Sequence, residues 1–570
     1  MSPVTKVGVQ NEARNKPNVH DLPGSEESPP GVSKPRHSVR FWGTFVALCL
    51  LSFISALDVA IITTALPEII DSVGGASQYV WIANSFVVSS AVLQPLTGQL
   101  ANALGRRGPL IVSTTLFAVG SGVGGGARNP AMLIVGRVVQ GVGAGGINVL
   151  LDIVCCDLVP LRERGKYLGL MFSWSGVAAA LGPPVGGALA QSNWRWIFWL
   201  NLPVCGLALV ALLFFMRVKT GPTSTNPSVQ TGLQDEDKPL RDITKRLKKL
   251  DFLGNTLFTL SMISLLFGLV EGGTVHPWSS WRIILPLVLG IVGWITFHVQ
   301  QHFAKNASVP TRLFSNRTSA TAYLLTFLTS VLVQTLAYFL PIYFQAVKAT
   351  TILDSGVNFL PMAIGTLVFA VVAGILLSYL GKYRILHIAS LALLIIAFGL
   401  MTRLNADTPK VEWAWYELIA SMGSGLTLST LLPAIMAGLP ESDVSVSSST
   451  YSFIRTFGWI WGVTAPGIIF NAVFDQNLNK ISDPALRTQL SGGQAYSFAS
   501  QVHNVRSNYP TSVWSEVIAT YIQSLKAIWW FGLGVSGFAL LAIGGERELE
   551  LRKELETEYG LDQTKEGSRY

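Results

Sequence analysis

The stretch GQLANALGRRGPL (residues 98–110) interrupts a chain that is otherwise mostly apolar. It places Arg106 and Arg107 side by side between two long hydrophobic runs, and the polar residue four positions before Arg106 is the uncharged Asn102. Its glycines are Gly98, Gly105 and Gly108. Two permanent charges between hydrophobic runs are typical of a short turn at a membrane surface.

The composition places most of the 570 residues in lipid. Half of them are hydrophobic and only 13% are charged, whereas soluble chains carry about 25% charged residues. Hydrophobic runs of roughly 20 residues, each long enough to cross the bilayer as a helix, recur from Phe41 to Gly544. The net charge of +8 does not indicate nucleic-acid binding, because the basic residues are distributed by loop, as membrane topology requires. We expect an all-α polytopic protein whose partners are the lipid bilayer and a small molecule, without nucleic acid, and functional as a monomer.

Fourteen hydrophobic segments are candidate membrane spans, numbered here span 1 to span 14. They cover residues 41–65, 79–101, 109–126, 131–157, 165–190, 196–217, 252–273, 280–301, 318–345, 353–380, 384–403, 414–437, 452–475 and 515–544. With a cytosolic N-terminus, about three times as many Lys and Arg residues fall on the cytosolic side as on the outer side, which predicts that both termini are cytosolic. The sequons at Asn306 and Asn316 then lie in the cytosol, so we expect no glycosylation.

A faint internal repeat divides the chain into two halves. Basic turns that begin at Gly105 and Gly381 follow span 2 and span 10, at nearly the same distance from the starts of span 1 and span 9. Two related halves around a central site are typical of a transporter. The predicted organisation is a disordered cytosolic N-tail (1–40), an N-terminal six-helix bundle (41–217), a cytosolic linker (218–251), two inserted helices (252–301), a C-terminal six-helix bundle (302–544) and a cytosolic C-tail (545–570).

Charged residues inside spans are rare and costly, so each is a candidate functional residue. At 1.5 Å per residue, Asp58 in span 1 and Arg137 in span 4 both lie about 10 Å below the outer surface. If their helices are neighbours, the two charges can neutralise each other, and Gln140 can help to satisfy the guanidinium. Moving Arg137 would change the proton affinity of Asp58, which could couple a proton gradient to transport. The alternative is a purely structural buried pair.

The other charges near spans have structural explanations. Asp152 and Asp157 lie at the cytosolic end of span 4, where they are expected to pair with nearby basic residues. Arg455, near the start of span 13, is expected to extend to the cytosol. Glu271, at the outer end of span 7, is expected to be solvated.

The sequence gives no sign of a metal, a cofactor or an enzyme. The seven histidines form no HExxH pattern, and we expect no metal at His298 and His302, which are spaced i and i+4 in span 8. The four cysteines fall in apolar segments and are expected to contribute only to packing.

Span 5 contains the sequence GVAAALGPPVGGALA (residues 176–190), in which small residues allow close helix approach and a double proline should kink the helix. Its notable positions are Gly176, Gly182, Pro183, Pro184, Gly186 and Gly187.

These motifs, in this order, resemble those of the major facilitator superfamily. Residues 98–110 resemble its loop 2–3 motif, residues 133–146 (LIVGRVVQGVGAGG) its fourth-helix motif, and residues 176–190 the antiporter motif of its drug–proton antiporters. Residues 57–67 (LDVAIITTALP) and 193–203 (NWRWIFWLNLP) are similar to motifs of the fourteen-helix subgroup. Residues 156–167 (CDLVPLRERGKY) and 451–463 (YSFIRTFGWIWGV) resemble its fungal branch.

The resemblance implies a fold of two six-helix bundles plus two inserted helices. It also implies a proton-driven antiporter, without a cofactor, that exports a fungal secondary metabolite, toxin or drug across the plasma membrane. Arg137 would then take part in proton transfer. Gly98, Gly105, Arg106, Arg107 and Gly108 would form a conformational-switch loop, and the residues of span 5 would be the antiporter motif.

Asn102 departs from the family pattern, which has an acid at this position. In the family that acid locks the loop against the helix that corresponds to span 13, which here follows a serine-rich segment (445–453) whose serines can cap it. An asparagine has a weaker attraction to the helix dipole. Either Asn102 is a weaker latch, or another acid, Asp152 or Asp157, holds Arg106 and Arg107.

We predict that Asn102→Asp favours the outward-open state, because the new charge strengthens the latch. The measurement is the accessibility of introduced cysteines from the two sides of the membrane. Unchanged accessibility would contradict the prediction.

The substrate cavity is expected between the two halves. The candidate lining residues, chosen by residue type, are Asn84, Gln334, Tyr338 and Asn358, with Trp461 as an aromatic wall. One alternative function is a vacuolar or plasma-membrane carrier of amino acids or siderophores. Another is a membrane receptor that does not transport.

Overall fold

The computed structural model of the chain is built from helices joined by turns, and it describes residues 38–73, 79–216, 247, 250–273 and 276–553. In the N-terminal half the helices are α1 (Val39–Val73), α2 (Tyr79–Val92), α3 (Gln94–Leu104), α4 (Arg107–Gly125), α5 (Pro130–Leu158), α6 (Leu161–Asn193), α7 (Trp196–Trp199) and α8 (Asn201–Phe215). The pair that follows is α9 (Phe252–Glu271) and α10 (Trp281–Phe303). In the C-terminal half the helices are α11 (Arg317–Ile342), α12 (Ile352–Asn358), α13 (Leu360–Leu380), α14 (Tyr383–Met401), α15 (Lys410–Leu428), α16 (Leu431–Ala437), α17 (Val444–Asn477), α18 (Pro484–Leu490), α19 (Ala495–Phe498), α20 (Val502–Val505) and α21 (Thr511–Ala542).

Helices lie at each of the fourteen predicted spans. Within the described part of the chain, twelve helices are long and apolar enough to cross a membrane, by length and composition. The two further predicted spans are also helical. One is divided at Leu93 into α2 and α3, where Pro95 removes a backbone donor from the first turn of α3. The other, α6, begins with four charged residues among its first six.

The predicted N-tail and linker fall almost entirely outside the described residues, so their assignments stay predictions. The first part of the predicted C-tail is described, and it is fixed against the C-terminal half. The backbone N–H of Arg547 donates to the Thr318 hydroxyl at 3.1 Å, and that of Leu549 donates to the Tyr383 hydroxyl at 3.0 Å. The carboxylate of Glu546 lies 3.0 Å from Nδ1 of the buried His387. The chain therefore continues beyond α21 as an ordered segment as far as residue 553.

Each of the two basic turns begins at a glycine with a positive φ. Gly105 has φ +82° and Gly381 has φ +68°, a region that residues with a Cβ rarely adopt. Each turn follows the second span of its half and precedes the third. The internal repeat therefore extends to the position of these turns and to the sign of φ, whereas ψ differs, at 177° for Gly105 and 10° for Gly381.

The glycines of α5 set the packing of the N-terminal half. A Cβ on Gly145 would overlap the backbone of Ser90 in α2, and a Cβ on Gly143 would overlap the backbone of Phe117 in α4. A Cβ on Gly120 of α4 would likewise overlap the backbone of Gln140 in α5. These contacts bring α2 and α4 against α5 and so position the polar side chains of α5.

We expect Gly145→Val to destabilise the protein by about 1–3 kcal/mol, because the added atoms must displace the backbone of α2. The measurement is the melting temperature of the purified protein. Gly122→Val is the matched control, because a Cβ at Gly122 meets no atom within 4 Å. Equal melting temperatures for the two variants would contradict the packing argument.

The helix pair α9 and α10 attaches to both halves. Phe258 of α9 contacts Phe453 of α17 with ring centroids 4.8 Å apart, and α9 also packs against α2. The expectation that Glu271 is solvated is wrong. Its side chain is buried and accepts a hydrogen bond of 2.8 Å from Nε1 of Trp81, because α2 covers the end of α9.

Candidate functional site

A buried polar network surrounds the carboxylate of Asp58. Nη1 of Arg137 donates to Oδ2 of Asp58 at 2.5 Å, and Nε2 of Gln140 donates to Oδ1 at 2.6 Å. Nη1 of Arg137 also donates to Oε1 of Gln140 at 2.9 Å. Asp58 and Arg137 are each only 1% exposed. The structure thus brings together the three residues that the sequence singled out for proton coupling.

Two members of this network were missed by the sequence analysis. Nδ2 of Asn201, at the start of α8, donates to Oδ1 of Asp58 at 2.9 Å and to the Ser121 hydroxyl at 3.1 Å. Ser121 also accepts from Gln140 at 2.9 Å. An available signal was that Asn201 is a polar residue within an apolar span. Four helices therefore contribute to the network, and Asp58 supplies the carboxylate among its five members.

A large cavity lies beside this network, between the two halves. Its volume is about 1030 Å³, and its lining is mostly apolar, with hydroxyl and amide groups interspersed. Val59, next to Asp58, lines the cavity, as does Phe86, whose ring centroid lies 4.3 Å from the Arg137 guanidinium carbon. The network is thus separated from the cavity by a single layer of side chains.

Three of the five residues predicted to line the cavity do so, namely Asn84, Gln334 and Tyr338. Asn358 instead lies in a separate apolar groove formed by α12, α13 and α15. Trp461 packs against Phe457, and Trp459 provides the aromatic wall. The predictions for Asn358 and Trp461 are wrong, because residue type does not reveal which face of a helix points inward.

The cavity is closed at the end of the bundle that holds Arg106, Arg164 and Arg312, here called the basic end. There α6 and α13 approach so closely that a Cβ on Gly374 would overlap the backbone of Gly165. Nε of Arg162 donates across the two halves to the carbonyl oxygen of Ser378 at 2.7 Å. At the opposite end the cavity is lined by residues that follow α9 and by residues 492–497.

Ion pairs also lie at the basic end. Arg164 of α6 pairs with Glu441 of the C-terminal half, which also forms an ion pair of 3.2 Å with Arg552. Arg312 donates to both oxygens of Asp443, at 3.1 and 2.9 Å, and these hydrogen bonds raise the pKa of the guanidinium. The Arg164–Glu441 pair joins the two halves, whereas the Arg312–Asp443 pair lies within the C-terminal half.

The switch loop is held by an acid of its own half. Nε of Arg106 donates to Oδ2 of Asp157 at 2.7 Å, whereas Oδ1 of Asn102 lies 3.4 Å from Nη1 of Arg106. Arg107 donates to the backbone oxygen of Leu213 at 2.8 Å. Of the two acids considered from the sequence, Asp157 holds Arg106, and neither holds Arg107.

The contact between the switch loop and α17 differs from the expected one. Gly98 packs against Ser449, and a Cβ there would overlap that side chain. The helix already begins at Val444, so the serines of residues 445–453 lie inside it and do not cap it. A Cβ on Gly105 or on Gly108 would meet no atom within 4 Å, so neither glycine is needed for close packing. Gly105 has the positive φ of the turn, whereas Gly108 lies in the first turn of α4.

A family model and several named proteins match most of this chain. The family model of the Major Facilitator Superfamily matches residues 48–463. The chain belongs to the major facilitator superfamily. It is 42% identical to the MFS efflux transporter aclA of Aspergillus oryzae, with 95% of each chain covered. It is 38% identical to the efflux pump FUS6 of Gibberella moniliformis, over 99% of this chain and 97% of that one.

Solved structures of the superfamily share the fold. The human organic anion transporter MFSD10 superposes with a TM-score of 0.53 at 16% identity, covering 90% of this chain and 100% of that one. The proton:xylose symporter XylE gives 0.52 at 13% identity, covering 90% and 98%. The predicted resemblance to the superfamily and to its fungal exporters is confirmed. The chain is thus a multi-pass membrane protein of a family of transporters.

The superfamily motif in α6 lies against both halves. Gly176 packs against Leu367 of α13, and Gly182 packs against Ala60 of α1. Gly186 is buried, whereas a Cβ on Gly187 would meet no atom within 4 Å. The helix continues through Pro183 and Pro184, whose side chains are outside the described part of the structure. The motif therefore provides close contacts between α6 and its neighbours.

The described residues offer no cluster of three or more His, Cys, Asp or Glu side chains that could hold a metal ion. The four cysteines, Cys49, Cys155, Cys156 and Cys205, are buried and form no disulfide.

Proposed function

We propose that this superfamily member is a proton-coupled efflux antiporter that exports a small organic compound, a secondary metabolite, toxin or drug, from a fungal cell. The observation that carries the proposal is the buried Asp58–Arg137 pair, which lies one side chain away from a cavity of about 1030 Å³. A buried carboxylate beside a substrate-sized cavity would give the protein a proton acceptor next to a site for an organic molecule.

Protonation of Asp58 is the step that links the gradient to the conformational change. A proton on the carboxylate leaves the guanidinium of Arg137 buried without a countercharge, and such a charge is strongly destabilising. Gln140 and Asn201 can offer only neutral partners. The packing of α1 against α5 in the protonated form must therefore differ from the packing seen here, and the cavity wall at Val59 and Phe86 moves with it.

The apolar lining of the cavity and the names of similar proteins both support the export of an amphipathic compound. The lining is mainly apolar with a few polar anchors, which suits an organic molecule better than an amino acid. The relatives from Aspergillus oryzae and Gibberella moniliformis are named as an efflux transporter and an efflux pump. The plasma membrane, which the family resemblance implies, and a monomeric form are part of this proposal. The asymmetry of Lys and Arg among the loops supports cytosolic termini.

Deletion of the gene, followed by comparison of intracellular and secreted metabolites, tests the proposal. We expect one compound to accumulate inside the deletion strain and to be secreted again when the chain is restored. A protonophore should abolish that secretion because it removes the gradient. An unchanged metabolite distribution would contradict export, and secretion that survives the protonophore would contradict proton coupling.

A further inference from the structure

Arg455 of α17 is the one charged residue among the described residues that line the cavity. Its guanidinium carbon lies 5.1 Å from the ring centroid of Phe172, 4.9 Å from that of Tyr451 and 5.6 Å from that of Trp459. The side chain is 8% exposed. The expectation that Arg455 extends to the cytosol is therefore wrong, and the cavity contains a cation enclosed by aromatic rings.

The hydrogen bonds of this guanidinium are incomplete. Nη2 lies 3.4 Å from Oδ2 of Asp152, and Nη1 lies 3.4 Å from the Tyr451 hydroxyl, whereas charge-assisted bonds are typically about 2.7–2.9 Å long. Nε of Arg455 and Oδ1 of Asp152 are buried without a hydrogen-bond partner among the described residues. A shorter bond of 2.6 Å joins Asp152 to the Ser452 hydroxyl. Arg455 thus has spare donors, and its countercharge is only loosely engaged.

The pair formed by Arg455 and Asp152 bridges the two halves near the closed end of the cavity. Asp152 belongs to α5, about two turns from the basic end of that helix, and Arg455 belongs to α17. Any state in which the basic end opens must move these two helices apart. The guanidinium would then remain among aromatic rings without a countercharge, which is unfavourable in a site of low dielectric.

We propose that Arg455 binds the anionic group of an exported organic acid, such as a carboxylate, and that Asp152 competes with this group for the guanidinium. When the basic end is open, the substrate anion supplies the missing countercharge. When the basic end closes, Asp152 returns to Arg455 and displaces the anion, so closure promotes release toward the opposite end. The aromatic rings around Arg455 accommodate the apolar body next to the acidic group. This inference rests on the proposed function, because it assigns the substrate class to the same cavity.

The test is equilibrium binding to the purified full-length protein, without any gradient. The probes are 1-naphthaleneacetate and 1-naphthaleneacetamide, which have the same shape and differ in charge. We expect the wild type to bind the acetate about tenfold more tightly than the amide, as one charge-assisted hydrogen bond allows. Arg455→Gln should remove this difference and leave the amide affinity within about twofold. Asp152→Asn should increase the affinity for the acetate, because it removes the competing carboxylate.

The double variant Asp152→Asn/Arg455→Gln guards against misfolding, since it leaves no unpaired buried charge. It should bind both probes with equal affinity. Equal affinities of the wild type for the two probes, or no binding of the acetate, would overturn the proposal. A loss of affinity in Arg455→Gln that is the same for both probes would also overturn it, because it indicates a structural role. None of these results depends on proton coupling, so they leave the proposed efflux mechanism to its own test.

Discussion

Asp58→Asn is expected to lower proton-driven export to the level of cells that lack the protein. Asparagine has the same shape as aspartate and can still accept a hydrogen bond, but it cannot exchange a proton. The substitution also leaves Arg137, which is 1% exposed, without a countercharge, at a cost of about 3–5 kcal/mol in stability. The measurements are the export rate and the amount of folded protein in the membrane.

Two controls separate coupling from folding. Asp58→Asn/Arg137→Gln removes both charges, so we expect it to recover the amount of folded protein but not the proton-driven export. Ser121→Ala removes only the hydroxyl that accepts from Gln140 and Asn201, and it should keep most of the activity. Wild-type export in Asp58→Asn would exclude Asp58 from the coupling site.

Glu441→Gln is expected to shift the protein away from the state with a closed basic end. The variant leaves Arg164, which is fully buried, without an acid at the contact between the halves. A loss of about 3–5 kcal/mol in the closed state changes the ratio of the two conformations by roughly a hundredfold or more. Because the four native cysteines are buried, a cysteine introduced at Val333, a half-buried residue of the cavity lining, can report on this shift.

The measurement is labelling of Val333→Cys by a membrane-impermeant maleimide from the side opposite the basic end. We expect labelling to slow strongly in the Glu441→Gln background. Arg312→Gln is the matched control, because Arg312 is largely exposed and its acid lies in the same half, so labelling should not change. Equal labelling rates in the Glu441→Gln and wild-type backgrounds would show that this ion pair does not hold the basic end closed.

The depth of a charged residue in the membrane could be predicted from the sequence. The helices that pack against that residue could not. The rise per residue correctly put Asp58 and Arg137 at one level, and the glycines of α5 indicated close packing. The same arithmetic assigned Arg455 and Glu271 to solvent, because it contains nothing about the helices that cover them. Trp459 and Trp461 are of one type and two positions apart, so only the rotation of α17 decides which of them faces the cavity.

The segment that follows α21, as far as residue 553, is joined to the contact that closes the basic end. Arg552 binds Glu441, and Glu441 must release Arg164 whenever the basic end opens. We therefore expect the ion pair between Arg552 and Glu441 to change when the basic end opens and closes. A fluorescent reporter joined to the C-terminus would follow turnover as well as location, and a truncation before Glu546 would alter the gate itself.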